Sequence, residues 1–203
     1  MKRHAPAAAR NRDVILAAVE RHFAADATVL EIASGTGQHA AHVVSHRRAL
    51  RWIPSDPDPA ARASIAAYAA EGDIGLDPPL ALDVTHDAWS AHPSLPSDIS
   101  IDGIICINMI HISPWATTEG LFAGASTLLG AGGRLVLYGP FRIDGDFGAE
   151  SNLRFDASLR QQDPRWGVRE LREVERVAHE AGFEPLSLEP VPANNHIVVF
   201  RRR

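Results

Sequence analysis

One cysteine, two methionines and two tyrosines are all that this chain of 203 residues carries of those types. The lone Cys106 excludes an intramolecular disulfide and a cysteine metal cluster. It sits in Ile101-Asp-Gly-Ile-Ile-Cys-Ile107, an apolar run that reads as a buried strand, where a thiol serves as a small core residue. No apolar stretch approaches the ~20 residues of a membrane span, and the first residues lack the apolar core of a signal peptide. The chain therefore reads as cytoplasmic, with no membrane partner. A strong excess of charge is missing too. A net charge of -5 and a sequence pI near 6.0 argue against a phosphate-binding footprint, and Met1-Lys-Arg3 and Arg201-Arg-Arg203 read as short solvated ends, so nucleic acid is not an expected partner. The ten histidines include no His-Glu-x-x-His pattern; only His39 and His42 stand at helical ligand spacing near the glycine loop described below, and no metal is expected.

What is present suffices for one core, since 45% of the residues are hydrophobic, and residues 1–203 read as a single domain. Helical and strand-like segments alternate with short connections. That is the pattern of an α/β, Rossmann-like, mostly parallel sheet with helices on both faces. A leading helix is expected over about 11–23, with Asn11 to Asp13 as capping residues and Ile15, Val19 and Phe23 on one face. Strands are expected from Thr28, over Leu50 to Ser55, over Leu80 to Val84, over Ile101 to Ile107 and over Arg134 to Tyr138. Helices are expected from Gly37 to about Ser45, from Ala60 to Ala70 and from Ser113-Pro114 to Leu129. A proline-rich connection spans His86 to Ser97. Residues 139–167, polar and too long for a plain connection, form a candidate lid or substrate wall in which Leu153, Phe155 and Leu159 have helical spacing. A last helix ending at Gly182 and a hairpin, Pro185 to Val191 and His196 to Phe200, complete an expected seven-stranded sheet closed by a C-terminal antiparallel pair.

The most informative stretch is Thr28-Val-Leu-Glu-Ile-Ala-Ser-Gly-Thr-Gly-Gln-His-Ala40, a strand that breaks into a Gly-x-Gly turn opening a helix. Gly35 and Gly37 allow backbone angles and an approach that a Cβ blocks, which makes the loop a cofactor seat. The same residues fit a loose dinucleotide fingerprint, with Asp56 at the distance that motif expects. Glu31 changes the balance. With Asp56 and Asp83 from the next two strands it gives the crevice at the strand carboxyl ends three acids, beside which a pyrophosphate at ~4 Å meets roughly 1 to 4 kcal/mol of repulsion. S-adenosylmethionine has a cationic sulfonium and no phosphate. Carboxylates can accept from its ribose hydroxyls, adenine amino group and ammonium.

These blocks resemble the class I S-adenosylmethionine-dependent methyltransferases over nearly the whole chain: Glu31-Ile-Ala-Ser-Gly-Thr-Gly37 looks like their first motif, Asp56 like their ribose-binding acid, and Asp83 like the residue near adenine. Glu31 to Ala40, Pro54-Ser-Asp56, Asn108-Met-Ile-His-Ile-Ser-Pro-Trp115, Leu137-Tyr-Gly-Pro140 and Pro192-Ala-Asn-Asn195 resemble more narrowly a methyltransferase-like family first catalogued as a domain of unknown function. Ala33 stands where many class I enzymes have their first glycine. The resemblance implies cofactor and reaction type and leaves the acceptor open.

The expected cofactor residues are Glu31, Ala33, Ser34, Gly35, Gly37, Asp56, Asp83, Val84 and Asn108. On the acceptor side, His111 and Tyr138 are the candidate catalytic residues, His111 as proton acceptor and pocket residue and Tyr138 as a substrate contact or a packing residue; Trp115 is a pocket wall or a packing residue, and Arg154, with Asp156 and Arg160, a holder of anionic substrate or simply a charged helix face. Asp58 reads as a helix cap, and Asn194 and Asn195 as turn residues. The expected reaction is methyl transfer to oxygen or nitrogen of a small molecule. No Asn/Asp-Pro-Pro-aromatic segment follows the Ile101 strand, which argues against methylation of DNA amino groups. A nicotinamide-dependent oxidoreductase on the same sheet, and a non-catalytic cofactor-binding or interaction protein, stay open as alternatives.

Overall fold

In the computed structural model, residues 1–71, 74–86, 89–95 and 100–203 are described, and they fall into two compact units: Met1–Asp83 with Ala88–Ile105, and Val84–Asp87 with Cys106–Arg203. Parts of the expected proline-rich connection, at 87–88 and 96–97, lie outside the described residues.

In the first unit, helix α1 spans Pro6–His22, strand β1 Thr28–Ile32, α2 Gln38–His46, β2 Arg51–Pro54 and α3 Pro59–Ala70. Helix α1 begins five residues before the expected Asn11 start, because Pro6 needs no hydrogen-bond acceptor at the first helical position and three alanines follow it. Asn11 is therefore a buried residue inside the helix and not its cap. With its amide turned to donate, it meets the carbonyl oxygens of Ala7 and Ala8 at 2.9 and 3.0 Å and His39 Nε2 at 2.8 Å. That bond ties α1 to α2. Ile15 and Val19 of α1, Val43 of α2, Ile65 of α3 and Val29, Leu30 and Trp52 of the strands are fully buried. Burial of such side chains stabilises by roughly 1.5–3 kcal/mol each. Strands β1 and β2 are parallel, with Thr28 opposite Arg51 and Glu31 opposite Pro54. The strand expected over Leu80 to Val84 reduces to one parallel bridge, Ser55 with Leu80. Pro78 and Pro79 have no N–H to offer before it, and the chain turns at Val84 and Thr85.

Strand β3, Ile101–Ile107, runs from the first unit into the second. The second unit then carries α4 (Ala116–Leu128), β4 (Leu129–Gly139), β5 (Phe141–Arg142), α5 (Glu150–Gln162), β6 (Arg169–Glu170), α6 (Leu171–Glu180), β7 (Phe183–Val191) and β8 (Asn195–Arg202). The expected cap at Ser113 and Pro114 is displaced: α4 starts at Ala116, preceded by tight turns in which Thr117 and Thr118 donate to Pro114 and Trp115 carbonyls at 3.0 and 2.8 Å. Helix α6 shows the pattern that docks a helix, with Leu171, Val174, Val177 and Ala178 buried on one face. Phe122 of α4 meets Phe183 and Phe200 edge-on at centroid distances of 5.7 and 5.2 Å, which joins α4 to the β7–β8 pair.

The chain has an α/β, Rossmann-like fold with C-terminal antiparallel strands. Its main sheet has six strands among the described residues, in the order β2-β1-β3-β4-β8-β7, where seven were expected; the missing one is the segment at Leu80. β8 pairs antiparallel with both β4 and β7. Among the described residues no helix is long and apolar enough to cross a membrane.

Candidate functional site

The glycine loop leaves β1 between two strand ends that are locked together. Ser34 N–H donates to Ser55 O at 2.8 Å, while Ser55 donates to Glu31 O through its N–H at 2.9 Å and its hydroxyl at 2.7 Å. Glu31 is almost fully enclosed, and its Oε2 accepts from Trp52 Nε1 at 3.0 Å. Burial pushes its carboxyl up to about 7, against hydrogen bonds from Trp52 and Ser34 and with help from the charge of Asp56. Glu31 is thus poised between carboxylic acid and carboxylate at neutral pH.

Three loop residues take left-handed conformations: Ala33 at φ 57°, Gly35 at 58° and Gly37 at 84°. For Gly37 glycine is required twice over, since a Cβ would stand 2.9 Å from Ile65 Cα. At Gly35 a Cβ would meet open space, so only the conformation calls for glycine. Ala33 holds the glycine-like conformation with a side chain attached, at a cost of roughly 1–2 kcal/mol.

Asp56 stands at the end of β2. Its Oδ2 accepts from Gly35 N–H and its Oδ1 from Asp58 N–H, both at 2.9 Å. Burial is the largest influence on its carboxyl and raises it, opposed by these two bonds. A carboxylate has about four lone-pair sites, so two bonds to main chain leave acceptor capacity. Asp58 caps α3 by accepting from Ala60 N–H at 2.9 Å, as expected. Asp83 lies half-buried three residues past the Leu80 bridge. His39 is buried on Asn11, and burial pulls its imidazole down to about 4.

In the second unit, Val84 is buried, and Gly120 in the middle of α4 makes room for it; a Cβ there would lie 1.9 Å from Val84 O. Asn108, left-handed at φ 62°, donates its N–H to Tyr138 O at 2.8 Å and accepts from His111 N–H at 3.1 Å. The chain then makes a single 3-10 turn, Met109–His111, that points the His111 ring inward. His111 is 0% exposed, edge-on to Phe141 at 5.0 Å, and a Cβ on Gly139 would come within 2.4 Å of its Nε2. Burial, and then the charge of Arg169, pull it down to about 3, so the ring is neutral. Tyr138 is likewise buried. Both side chains are thus enclosed.

Trp115 is half-buried, with the Arg169 guanidinium 5.6 Å from its ring centre. Arg154 is exposed and pairs with Glu150 one turn away at 2.6 Å. Asp156 faces the other way: buried, it accepts from Arg160 Nε at 2.7 Å and Val168 N–H at 2.8 Å. Asp156 and Arg160 are thus paired with each other, while Arg154 is held apart from them by Glu150. Leu159 is buried, whereas Leu153 is 50% exposed. Asn194 O accepts from Asn152 Nδ2 at 3.0 Å, which ties the β7–β8 turn to α5.

Sequence reasoning passed over Arg169. It donates to Ile110 O at 2.8 Å through Nε and to Ser113 O at 2.5 Å and Arg165 O at 3.0 Å through Nη2, stapling the loop that carries His111 and Trp115. Nothing in the local pattern sets it apart from the other arginines.

Sheet, glycine loop and strand-end acids together define a Rossmann-like protein of the architecture seen in methyltransferases. The chain belongs to the family described as Protein of unknown function (DUF938), whose match covers residues 2–202. Among solved structures it is similar to an O-methyltransferase family protein from Burkholderia thailandensis, at TM-score 0.78 and 14% identity, over 97% of this chain and 56% of the other. An O-methyltransferase family 2 protein from Planctomyces limnophilus, solved with apigenin, matches at TM-score 0.74 and 18% identity over 97% and 60%. Human N-acetylserotonin methyltransferase, solved with SAM, matches at 0.75 and 16% over 97% and 52%. The likeness is one of fold, and the chain spans little more than half the length of these proteins.

Proposed function

We propose that this protein is an S-adenosylmethionine-dependent methyltransferase acting on an oxygen or nitrogen of a small molecule. The observation that carries the reading is the buried Asp56 carboxylate held against the Gly35 main chain. A seat with an acid built into its glycine turn favours a cofactor with hydroxyl and ammonium donors over one with a pyrophosphate. Glu31, Ala33, Ser34, Gly35, Gly37, Asp56 and Asp83 are the residues of the first unit assigned to it. When bound, S-adenosylmethionine supplies a methyl group activated by its sulfonium. The loop leaves room for a flat group against bare main chain at Gly35, and Asp56 accepts hydroxyl hydrogens there. The methyltransferases that share the fold support the same reading.

In the second unit the Asn108–Trp115 loop is the proposed acceptor wall. Trp115 offers it an aromatic face, and the enclosed His111 and Tyr138 are its further residues. A neutral, enclosed His111 suits orientation of the acceptor better than removal of its proton, and alignment alone can lower such barriers by ~7–11 kcal/mol. The test is transfer of label from methyl-labelled cofactor to a panel of phenols, carboxylic acids and amines, read with formation of S-adenosylhomocysteine. Transfer to at least one class is expected. Cofactor binding without transfer to any class would favour a non-catalytic cofactor-binding protein.

A further inference from the structure

We propose that Lys2–Ala5 form a strap that sets the conformation of the glycine loop, with Ser64 as the positioning residue through which the strap acts. The proposal rests on the cofactor reading of that loop. Ser64 is fully buried on α3, and its hydroxyl has two partners: it accepts from Arg3 N–H at 2.8 Å and donates to Thr36 O at 2.8 Å. Thr36 is the residue between the left-handed Gly35 and Gly37. A second link runs in parallel, since Ala5 N–H donates to Gln38 Oε1 at 2.6 Å and Thr36 Oγ1 reaches the same oxygen at 3.1 Å. Two main-chain donors of the strap thus reach the cofactor loop through one side chain each.

The outer part of the strap is held by exposed groups. Arg3 pairs with Asp58 at 3.2 Å, Tyr68 hydroxyl donates to Arg3 O at 3.2 Å, and Lys2 pairs with Glu71 while lying 4.2 Å from the Tyr68 ring centre. Exposed ion pairs are weak and screened by salt, so the strap docks reversibly. Gly35 and Gly37 have access to many other backbone conformations, and docking selects among them. Coupling of this kind is reciprocal: a docked strap strengthens cofactor binding, and bound cofactor strengthens docking.

Calorimetric titration with S-adenosylmethionine, alongside amide hydrogen exchange at Arg3 and Ala5, tests both directions. Arg3→Pro removes the main-chain donor at an exposed position, Arg3→Ala keeps it, and Ser64→Ala removes the relay. Binding is expected to weaken about tenfold in Arg3→Pro and Ser64→Ala, the order of one lost hydrogen bond, and to stay within about twofold in Arg3→Ala. In the wild type, cofactor should slow exchange at both amides. Wild-type binding with unchanged affinity in Arg3→Pro, or with no change in exchange, overturns the strap alone. Absence of wild-type binding overturns the cofactor reading and the strap with it.

Discussion

Gly35 N–H donates to Asp56 Oδ2 at 2.9 Å, so the acid that ends β2 also fixes the loop that ends β1. Asp56→Ala removes this latch and the bond to Asp58 together. A stability loss of roughly 1–3 kcal/mol is expected in urea denaturation, with cofactor affinity reduced at least about tenfold. Asp56→Asn keeps one acceptor oxygen, and its stability should fall closer to wild type while its cofactor affinity still drops. Equal cofactor affinity in wild type and Asp56→Ala would remove Asp56 from the site.

The three left-handed loop residues should respond differently to the gain or loss of a methyl group. Gly37→Ala drives a Cβ into Ile65 and strains the backbone, with an expected loss of roughly 2–4 kcal/mol. Gly35→Ala, facing open space, should lose only roughly 1 kcal/mol. Ala33→Gly relieves strain and should be neutral or stabilising by up to about 1 kcal/mol. Urea midpoints of the three variants give the order directly, and a Gly37→Ala protein as stable as Gly35→Ala would contradict the packing at Ile65.

Buried groups give opposite pH slopes. Glu31 titrates near 7 when folded against 4.5 unfolded, so the native state binds the extra proton and stability falls as pH rises from 4.5 to 7. The loss is at most about 3 kcal/mol, and Glu31→Gln should remove it. His111 at about 3 and His39 at about 4 lie below the unfolded 6.5, so their contribution is present above pH 6.5 and lost as pH falls. Each contributes roughly 2 kcal/mol of loss between pH 6.5 and 5. Denaturation of wild type and Glu31→Gln from pH 5 to 8 separates the two: the variant should show the histidine slope alone.

Arg169→Ala should free the loop that carries His111 and Trp115. Loss of its bonds to Ile110, Ser113 and Arg165 carbonyls is expected to cost roughly 2 kcal/mol and to shift the Trp115 indole N–H resonance. An unmoved Trp115 signal would show that the loop holds its shape without the arginine.

The fold was legible where pattern and chemistry agreed. β1, the glycine turn, α2 and the C-terminal hairpin follow from apolar runs punctuated by glycine, and Asp58 capped the helix its position implied. Leu80 to Val84 misled because a short apolar run does not say whether main-chain pairing continues. The start of α1 was hidden by Asn11, a good capping residue in general that here spends its amide on His39. Side-chain direction was beyond reach: the sequence puts His111 and Asp156 on the right segments, but only the approach of Gly139 and the donor at Val168 decide that both turn inward.

Calorimetric titration of cofactor-stripped protein with S-adenosylmethionine, S-adenosylhomocysteine and NAD in parallel tests the central claim most directly. The account predicts binding of the first two, loss of both in Asp56→Ala, and no binding of NAD. Binding of NAD alone would contradict it.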